Sequence, residues 1–177
     1  MRKETKAEIG GFLMNRYAIG VDFGTLSGRA VLVDTRDGTI LSSSVREYAH
    51  GVMETTLPSG KPLPAAFALH HPADYLDVLE QTIPEILSSS GVRSEDVAAV
   101  GVDCTASTVL PVTRDGTPLC FLPAFADEPH AYIHLWKHHA AQSQADRMTE
   151  KAQERGENPF REDRKRAARA FHAGSEV

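Results

Sequence analysis

The stretch from Tyr17 to Asp34 constrains the fold more than any other part of this 177-residue chain. Tyr17, Ile19 and Val21 alternate with smaller or polar residues, which is the period of a half-buried strand. The segment FGTLSG follows as a turn, and RAVLVD then resumes the apolar run. These residues predict a β-hairpin.

The turn of this hairpin carries polar groups that suit an anion. Thr25 and Ser27 offer hydroxyl donors, and Gly24 and Gly28 are expected to allow positive φ, which lets backbone N–H groups converge. A phosphate group fits such a concavity. The alternative is a plain hairpin turn, because Gly, Ser and Thr are common turn residues. Turn chemistry alone leaves both interpretations open.

Charged residues flank the turn on both strands. Asp22 ends the first strand, and a hydrated Mg²⁺ ion requires a carboxylate of this kind beside phosphates. Arg29 would neutralise phosphate charge or serve packing. The motifs GxxxxGK[ST] and GxGxxG are both absent, so any nucleotide site must be of another type.

The next elements are a third strand and a helix. The turn RDG leads into TILSSSVREY, a strand that completes an antiparallel meander. A helix is predicted to start at Pro72, to be kinked by Pro84 and to be capped by Gly91. The apolar residues at helical spacing are Leu76, Leu79, Ile83 and Leu87.

Downstream of this helix the chain returns to strands. VAAVGVD, at 97–103, is expected to be a strand buried on both faces, and TVLPVTRDG a further short strand. The chain from Pro129 onward is predicted to be helical. This order of elements indicates a mixed α/β layer fold.

Composition argues against several classes of protein. A net charge of -5 is unfavourable for a nucleic-acid partner, which needs a basic face. No apolar run approaches the roughly 20 residues of a membrane helix, so no membrane segment is expected. Cys104 and Cys120 have no CxxC spacing, so we expect buried, reduced thiols and a cytoplasmic protein.

Three histidines offer a different kind of site. His130, His134 and His138 recur at four-residue spacing, which would stack them on one face of the predicted helix, beside His139. Histidines at this spacing can bind zinc, but no HExxH motif or interleaved cysteine accompanies them. A metal role is the weaker interpretation of this segment.

Several segments, taken in order, resemble the FGGY family of sugar kinases. IGVDFGTLSGRAVLVD is similar to the family's first phosphate-binding hairpin. VREYAHGV, LHHPADYLDVL, GVDCTASTVLPV, DGTPLC and PHAYIHLWKHHAAQSQADRM resemble successive segments of its ribulokinase branch. The resemblance covers residues 16–158, interpreted as a partial N-terminal kinase domain. Residues 1–15 are then a disordered or mis-started extension, and 159–177 an unmatched charged tail.

The resemblance implies a fold and roles for particular residues. The fold is a ribonuclease H-like α/β lobe of the actin and sugar-kinase ATPases, with a mixed sheet, an antiparallel meander and flanking helices, incomplete in this chain. The Asp22 carboxylate would associate with Mg²⁺ through water. Residues implied near the ATP phosphates are Gly24, Thr25, Ser27 and Arg29. Residues implied to contact the sugar are Thr105, Ala106 and Ser107, although the threonine would also suit an ordinary strand.

The resemblance also implies a reaction. ATP, with Mg²⁺, would phosphorylate the terminal hydroxyl of L-ribulose or a related ketopentose, a step of L-arabinose catabolism. The family's catalytic aspartate and second domain lie downstream of the matched region, so we expect a fragment that is inactive alone and that could form a homo-oligomer. The alternative is a non-catalytic phosphate- or ATP-binding remnant, or an interaction module.

Overall fold

The computed structural model describes residues 16–156, which divide after His138 into two compact units. The predicted extension 1–15 and tail 159–177 lie outside the described residues. The first unit contains, in chain order, β1 (Tyr17–Phe23), β2 (Ser27–Asp34), β3 (Ile40–Glu47), β4 (Leu69–His70), the helix α1 (Pro72–Ser90), β5 (Val97–Cys104) and β6 (Ile133–His134).

The predicted antiparallel meander is confirmed. The main sheet has the order β3-β2-β1-β5, and β2 pairs antiparallel with both β1 and β3. Along β1, Ile19, Val21 and Phe23 are buried, whereas the intervening residues are only partly covered. This alternation follows from the two-residue period of a strand, one face of which packs against α1.

The helix α1 begins and ends where its capping residues predict. Pro72 occupies the first turn, and Nδ1 of His71 accepts a backbone N–H of that turn at 3.2 Å. Gly91 follows the helix at φ +70° and donates its N–H to the Leu87 carbonyl. Pro84 lies inside the helix, and the predicted kink stays a prediction.

The buried face of α1 is rotated from the predicted one. Val78 and Ile86 are fully buried, whereas Leu76 is 48% exposed. Asp74 and Thr82 are also buried, and Thr82 Oγ1 donates to the Val78 carbonyl at 2.6 Å. A pattern of apolar residues does not count buried polar residues such as these, so it predicted the wrong face of the helix. The remaining predicted positions are partly buried at its margin: Leu79, Ile83 and Leu87.

The strand β5 forms as predicted, but its predicted burial on both faces is wrong. It pairs in parallel with β1 at the edge of the sheet, and Val100 and Val102 are 53% and 65% exposed. Because α1 packs mainly over β2 and β3, neither face of β5 is covered within residues 16–156. Cys104 is consequently exposed, contrary to expectation; Cys120 is buried, which raises its pKa to about 11.

The segment before His139 pairs as short strands, so the helix predicted from Pro129 is wrong there. A 3₁₀ turn at Pro129–Ala131 leads into β6, which pairs antiparallel with β4. The His134 backbone exchanges two hydrogen bonds with Val109, which uses groups that a helix would pair internally. The predicted strand TVLPVTRDG forms isolated bridges only.

The described residues of the second unit, 139–156, contain the helix α2 (Gln142–Glu154), which confirms that part of the predicted helical segment. Its described residues are almost all exposed. Across residues 16–156, no helix combines the length and the apolar character needed to cross a membrane.

Gly28 determines how closely α1 approaches the hairpin. A Cβ atom here would lie 2.6 Å from Cγ1 of Val78, nearer than real Cβ contacts allow. We expect Gly28→Ala to lower the free energy of unfolding by about 1–3 kcal/mol, because the helix or Val78 must shift. Gly101→Ala is the control, since nothing lies within 4 Å of a Cβ there. Urea denaturation measures the free energy of unfolding of both variants. Equal values would contradict the role of Gly28 in the close approach of α1 to the hairpin.

Candidate functional site

The hairpin tip joins β1 to β2 through Gly24, Thr25 and Leu26. The Gly24 N–H donates to the Ser27 carbonyl at 3.0 Å. Contrary to expectation, neither Gly24 nor Gly28 has positive φ, so the predicted concavity built on left-handed glycines is wrong. Gly24 instead allows a close approach within the turn, because a Cβ there would lie 3.1 Å from the Ser27 carbonyl oxygen, which is tighter than most Cβ contacts.

Three consecutive carbonyls of the tip are bound by residues packed behind it. The Tyr48 hydroxyl donates to the Gly24 carbonyl at 3.0 Å, and the Tyr48 backbone N–H donates to the Leu26 carbonyl at 3.1 Å. Between them, Nε2 of His70 donates to the Thr25 carbonyl at 2.9 Å. The position of the tip is therefore set by β4 and by the residue that follows β3.

The tautomer of His70 follows from its partners. Because a carbonyl only accepts, Nε2 carries the proton, and Nδ1 accepts from the Tyr75 hydroxyl at 3.0 Å. His70 is fully buried, which lowers its pKa, and burial raises the pKa of Tyr75 to about 12. Both groups are thus neutral near pH 7. The Tyr75 ring stacks on Phe23 at 4.7 Å between centroids.

Two of the predicted phosphate-site residues face each other across the hairpin. Arg29 Nε lies 3.2 Å from Asp22 Oδ2, and both side chains are about half exposed. On the other side of β1, Asp103 is the register partner of Asp22. These three residues line an open cavity of about 370 Å³. Its other lining residues are Gly20, Val21, Val31, Gly101 and Val102.

Asp103 was not among the predicted site residues, although the sequence contains a signal for it. The tripeptide GVD occurs twice, at 20–22 and at 101–103, each time near the end of a predicted strand. In the sheet the two copies lie side by side in parallel register. The repeat therefore places two carboxylates together where these strands end.

The turn that follows β5 lies beside the hairpin tip. The residues predicted to bind phosphate and those predicted to bind sugar therefore lie at the same end of the sheet, which we call the site edge. The Thr105 N–H donates to the Phe23 carbonyl at 3.1 Å, and the Thr105 and Thr108 hydroxyls lie 2.8 Å apart. Ala106 and Ser107 are exposed, and Ser107 has φ +56°. Ligands of open α/β sheets bind beyond the carboxyl ends of parallel strands, which is where this edge lies.

The rings of the three histidines contact one another, although the segment that carries them is not an α-helix. The His134 ring stacks on His138 at 4.6 Å between centroids and meets His130 edge-on at 5.5 Å. In the part of the chain that the structure describes, no group of three His, Cys, Asp or Glu side chains could hold a metal ion. The helical zinc site considered from the sequence therefore lacks its structural basis.

Sequence comparison relates most of the chain to sugar kinases. No model of a protein family matches it. It is 54% identical over 145 residues to a ribulokinase of Mycolicibacterium smegmatis, a match that covers 80% of this chain and 26% of that protein. The matched segment is thus homologous to one part of the ribulokinases. A ribulokinase of Bacillus licheniformis is 52% identical over 136 residues, 76% of this chain and 24% of that protein. The chain spans about a quarter of these curated relatives.

Solved structures show the fold of the matched segment. A xylulose kinase from Rhodospirillum rubrum superposes with a TM-score of 0.55 at 20% identity, covering 77% of this chain and 23% of that one. A kinase of Brucella ovis gives 0.59 at 14% identity, covering 79% and 25%. The predicted α/β lobe of the sugar-kinase and actin-like ATPases is confirmed.

The histidine cluster predicts loss of stability in acid. Burial and the neighbouring His138 and His130 lower the pKa of His134, and its buried Nε2 has no partner among the described residues. The folded state therefore binds fewer protons than the unfolded chain, whose histidines titrate near pH 6.5. We expect the stability contribution to be present above about pH 6.5 and to be lost as the pH falls towards the lowered pKa.

The urea midpoint, measured between about pH 7.5 and 5.5, checks this prediction. His134→Leu should reduce the pH dependence without abolishing it, because burial also lowers the pKa of His70 and His71. His139→Leu, at an exposed position, should leave the profile unchanged. A rise of the midpoint on acidification would show that the sign is wrong.

Proposed function

We propose that this chain supplies the part of an ATP-dependent ribulokinase that binds the phosphates of ATP. The 54% identity to a ribulokinase is the observation that carries the proposal, and the meeting of the hairpin with the 105–107 turn supports it. The whole kinase transfers the ATP γ-phosphoryl group to the terminal hydroxyl of L-ribulose or a related ketopentose. The products are ADP and L-ribulose 5-phosphate, and the hydroxyl proton passes to a base.

Phosphate binding is assigned to the tip of the hairpin. Thr25 and Ser27 supply hydroxyl donors, and Gly24 keeps the tip narrow. The backbone N–H groups of Thr25 and Leu26 donate to no acceptor within residues 16–156, so they are available to an anion. Arg29 supplies positive charge, since an exposed ion pair such as Arg29–Asp22 contributes only about 0–1 kcal/mol and is easily exchanged for a phosphate.

The metal role is assigned to Asp22. Mg²⁺ prefers oxygen ligands and keeps several of its waters, and the exposed Asp22 and Asp103 carboxylates offer such oxygens beside the hairpin. When bound, the ion neutralises negative charge on the phosphates. In this arrangement Asp22 holds water molecules of the ion, and Arg29 offsets part of the local negative charge.

Sugar binding is assigned to Thr105, Ala106 and Ser107. The turn presents two hydroxyl groups and one small apolar side chain at the same edge as the hairpin, and hydroxyls are suited to hydrogen-bond a polyhydroxylated substrate. The Thr105–Thr108 hydrogen bond orients one of them. We also propose a cytoplasmic location, where ATP is available and free thiols such as Cys104 persist.

Calorimetric titration of the chain with Mg-ATP tests the assignment. We expect Arg29→Met to weaken binding about tenfold, because it removes a charge-assisted hydrogen bond to phosphate. Arg93→Met is the matched control, since Arg93 is also in an exposed ion pair, with Asp96, just before β5 begins. Equal affinities of the two variants would contradict the phosphate role.

A coupled assay for ADP release with L-ribulose distinguishes the whole reaction from binding alone. We expect Mg-ATP binding without turnover, because the aspartate base implied by the family resemblance lies beyond the matched region. Turnover by this chain would show that it catalyses the reaction without the downstream base, which would refute the assignment of binding alone to this chain. Absence of Mg-ATP binding would refute the proposed function itself.

A further inference from the structure

The turn at the hairpin tip lacks two features that commonly stabilise such turns. The favoured two-residue hairpin turns need positive φ at one or both central residues, yet neither Thr25 nor Leu26 has it. The bond that usually closes a β-turn runs from the fourth N–H to the first carbonyl. Here the first carbonyl, that of Gly24, accepts the Tyr48 hydroxyl instead. The tip therefore depends on donors outside itself.

Those donors belong to two buried residues, Tyr48 and His70. Tyr48 is 6% exposed and His70 is fully buried, and their rings contact each other edge-on at 5.0 Å between centroids. Tyr75 on α1 stacks on Tyr48 at 5.3 Å and donates to Nδ1 of His70. The His70 ring is thus held by packing and by a second hydrogen bond, and the Tyr48 ring is held by packing against His70 and Tyr75, so both donors stay directed at the tip.

We propose that Tyr48 and His70 are positioning residues for phosphate binding, because they hold the carbonyls of the hairpin tip and thereby leave the Thr25 and Leu26 N–H groups available to the anion. This inference rests on the proposed function of the hairpin. Neither side chain touches the phosphate. They act through the backbone, since a peptide whose carbonyl is fixed also has its adjacent N–H fixed.

Tyr48→Phe gives the sharpest test, because it removes one hydroxyl and keeps the ring. Tyr132→Phe is the matched control: Tyr132 is 3% exposed, and its hydroxyl donates to the Ala126 carbonyl at 2.7 Å. Amide hydrogen exchange is followed by NMR in the full chain without nucleotide. We expect exchange of the Gly24 N–H to accelerate about fivefold in Tyr48→Phe, the effect of losing one net hydrogen bond, and to be unchanged in Tyr132→Phe.

A second pair of variants tests His70. His70→Gln keeps an N–H donor for the Thr25 carbonyl, whereas His70→Leu has none, so we expect the glutamine variant to preserve slow exchange at Gly24 better than the leucine variant. The imidazole ¹⁵N shifts of the unmodified chain provide a readout that needs no variant. They should report the Nε2–H tautomer of His70; the Nδ1–H tautomer would overturn its part of the proposal.

Mg-ATP titration then separates this inference from the proposed function. If the unmodified chain binds Mg-ATP, Tyr48→Phe should weaken binding about fivefold and Tyr132→Phe should not. Equal affinity of both variants, or unchanged exchange at Gly24 in Tyr48→Phe, would overturn the positioning role. If the unmodified chain does not bind Mg-ATP, the proposed function fails, and with it the role in phosphate binding, whereas the exchange data still decide whether the two side chains hold the tip.

Discussion

The close approach of α1 to the first hairpin is the constraint on which the rest of the structure depends. Gly28 lets Val78 lie directly against β2, and the first turns of the helix then reach the end of β1. This brings Tyr75 onto Phe23 and within hydrogen-bonding distance of His70. Packing between Gly28 and Val78, neither of which has a functional group, thus supports the residues that hold the hairpin tip.

Local signals predicted the elements that this contact joins. The alternation along β1, the proline in the first turn of α1 and the glycine at its C-cap each act within a few residues, so a sequence can reveal them. The candidate residues Asp22, Arg29 and Thr105 were also predicted one by one, but their meeting at one end of the sheet follows from strand pairing that the sequence analysis did not predict. The donors to the tip were not predicted, since Tyr48 and His70 are distant from it in sequence and resemble ordinary core residues.

The incorrect predictions for β5 and for the segment after Pro129 share the opposite cause, which is dependence on distant partners. VAAVGVD is apolar enough for a central strand, but burial depends on what covers a strand, and β5 has one neighbour among residues 16–156. The segment around His134 has helical histidine spacing, yet its backbone pairs with Val109 and with β4. In both cases tertiary pairing, which spacing does not encode, overrides the local pattern.

On the proposed function, the charges at this end of the sheet link metal binding to phosphate binding at the hairpin. Asp22 and Asp103 bring two negative charges to neighbouring positions, and Arg29 supplies one positive charge. The edge is therefore net negative, which opposes a polyanion such as ATP even though the hairpin offers donors to phosphate. A divalent cation reverses that balance, because it binds carboxylate oxygen and phosphate oxygen alike. On the proposed function, metal and nucleotide should thus bind to this edge cooperatively, each making the other's binding more favourable.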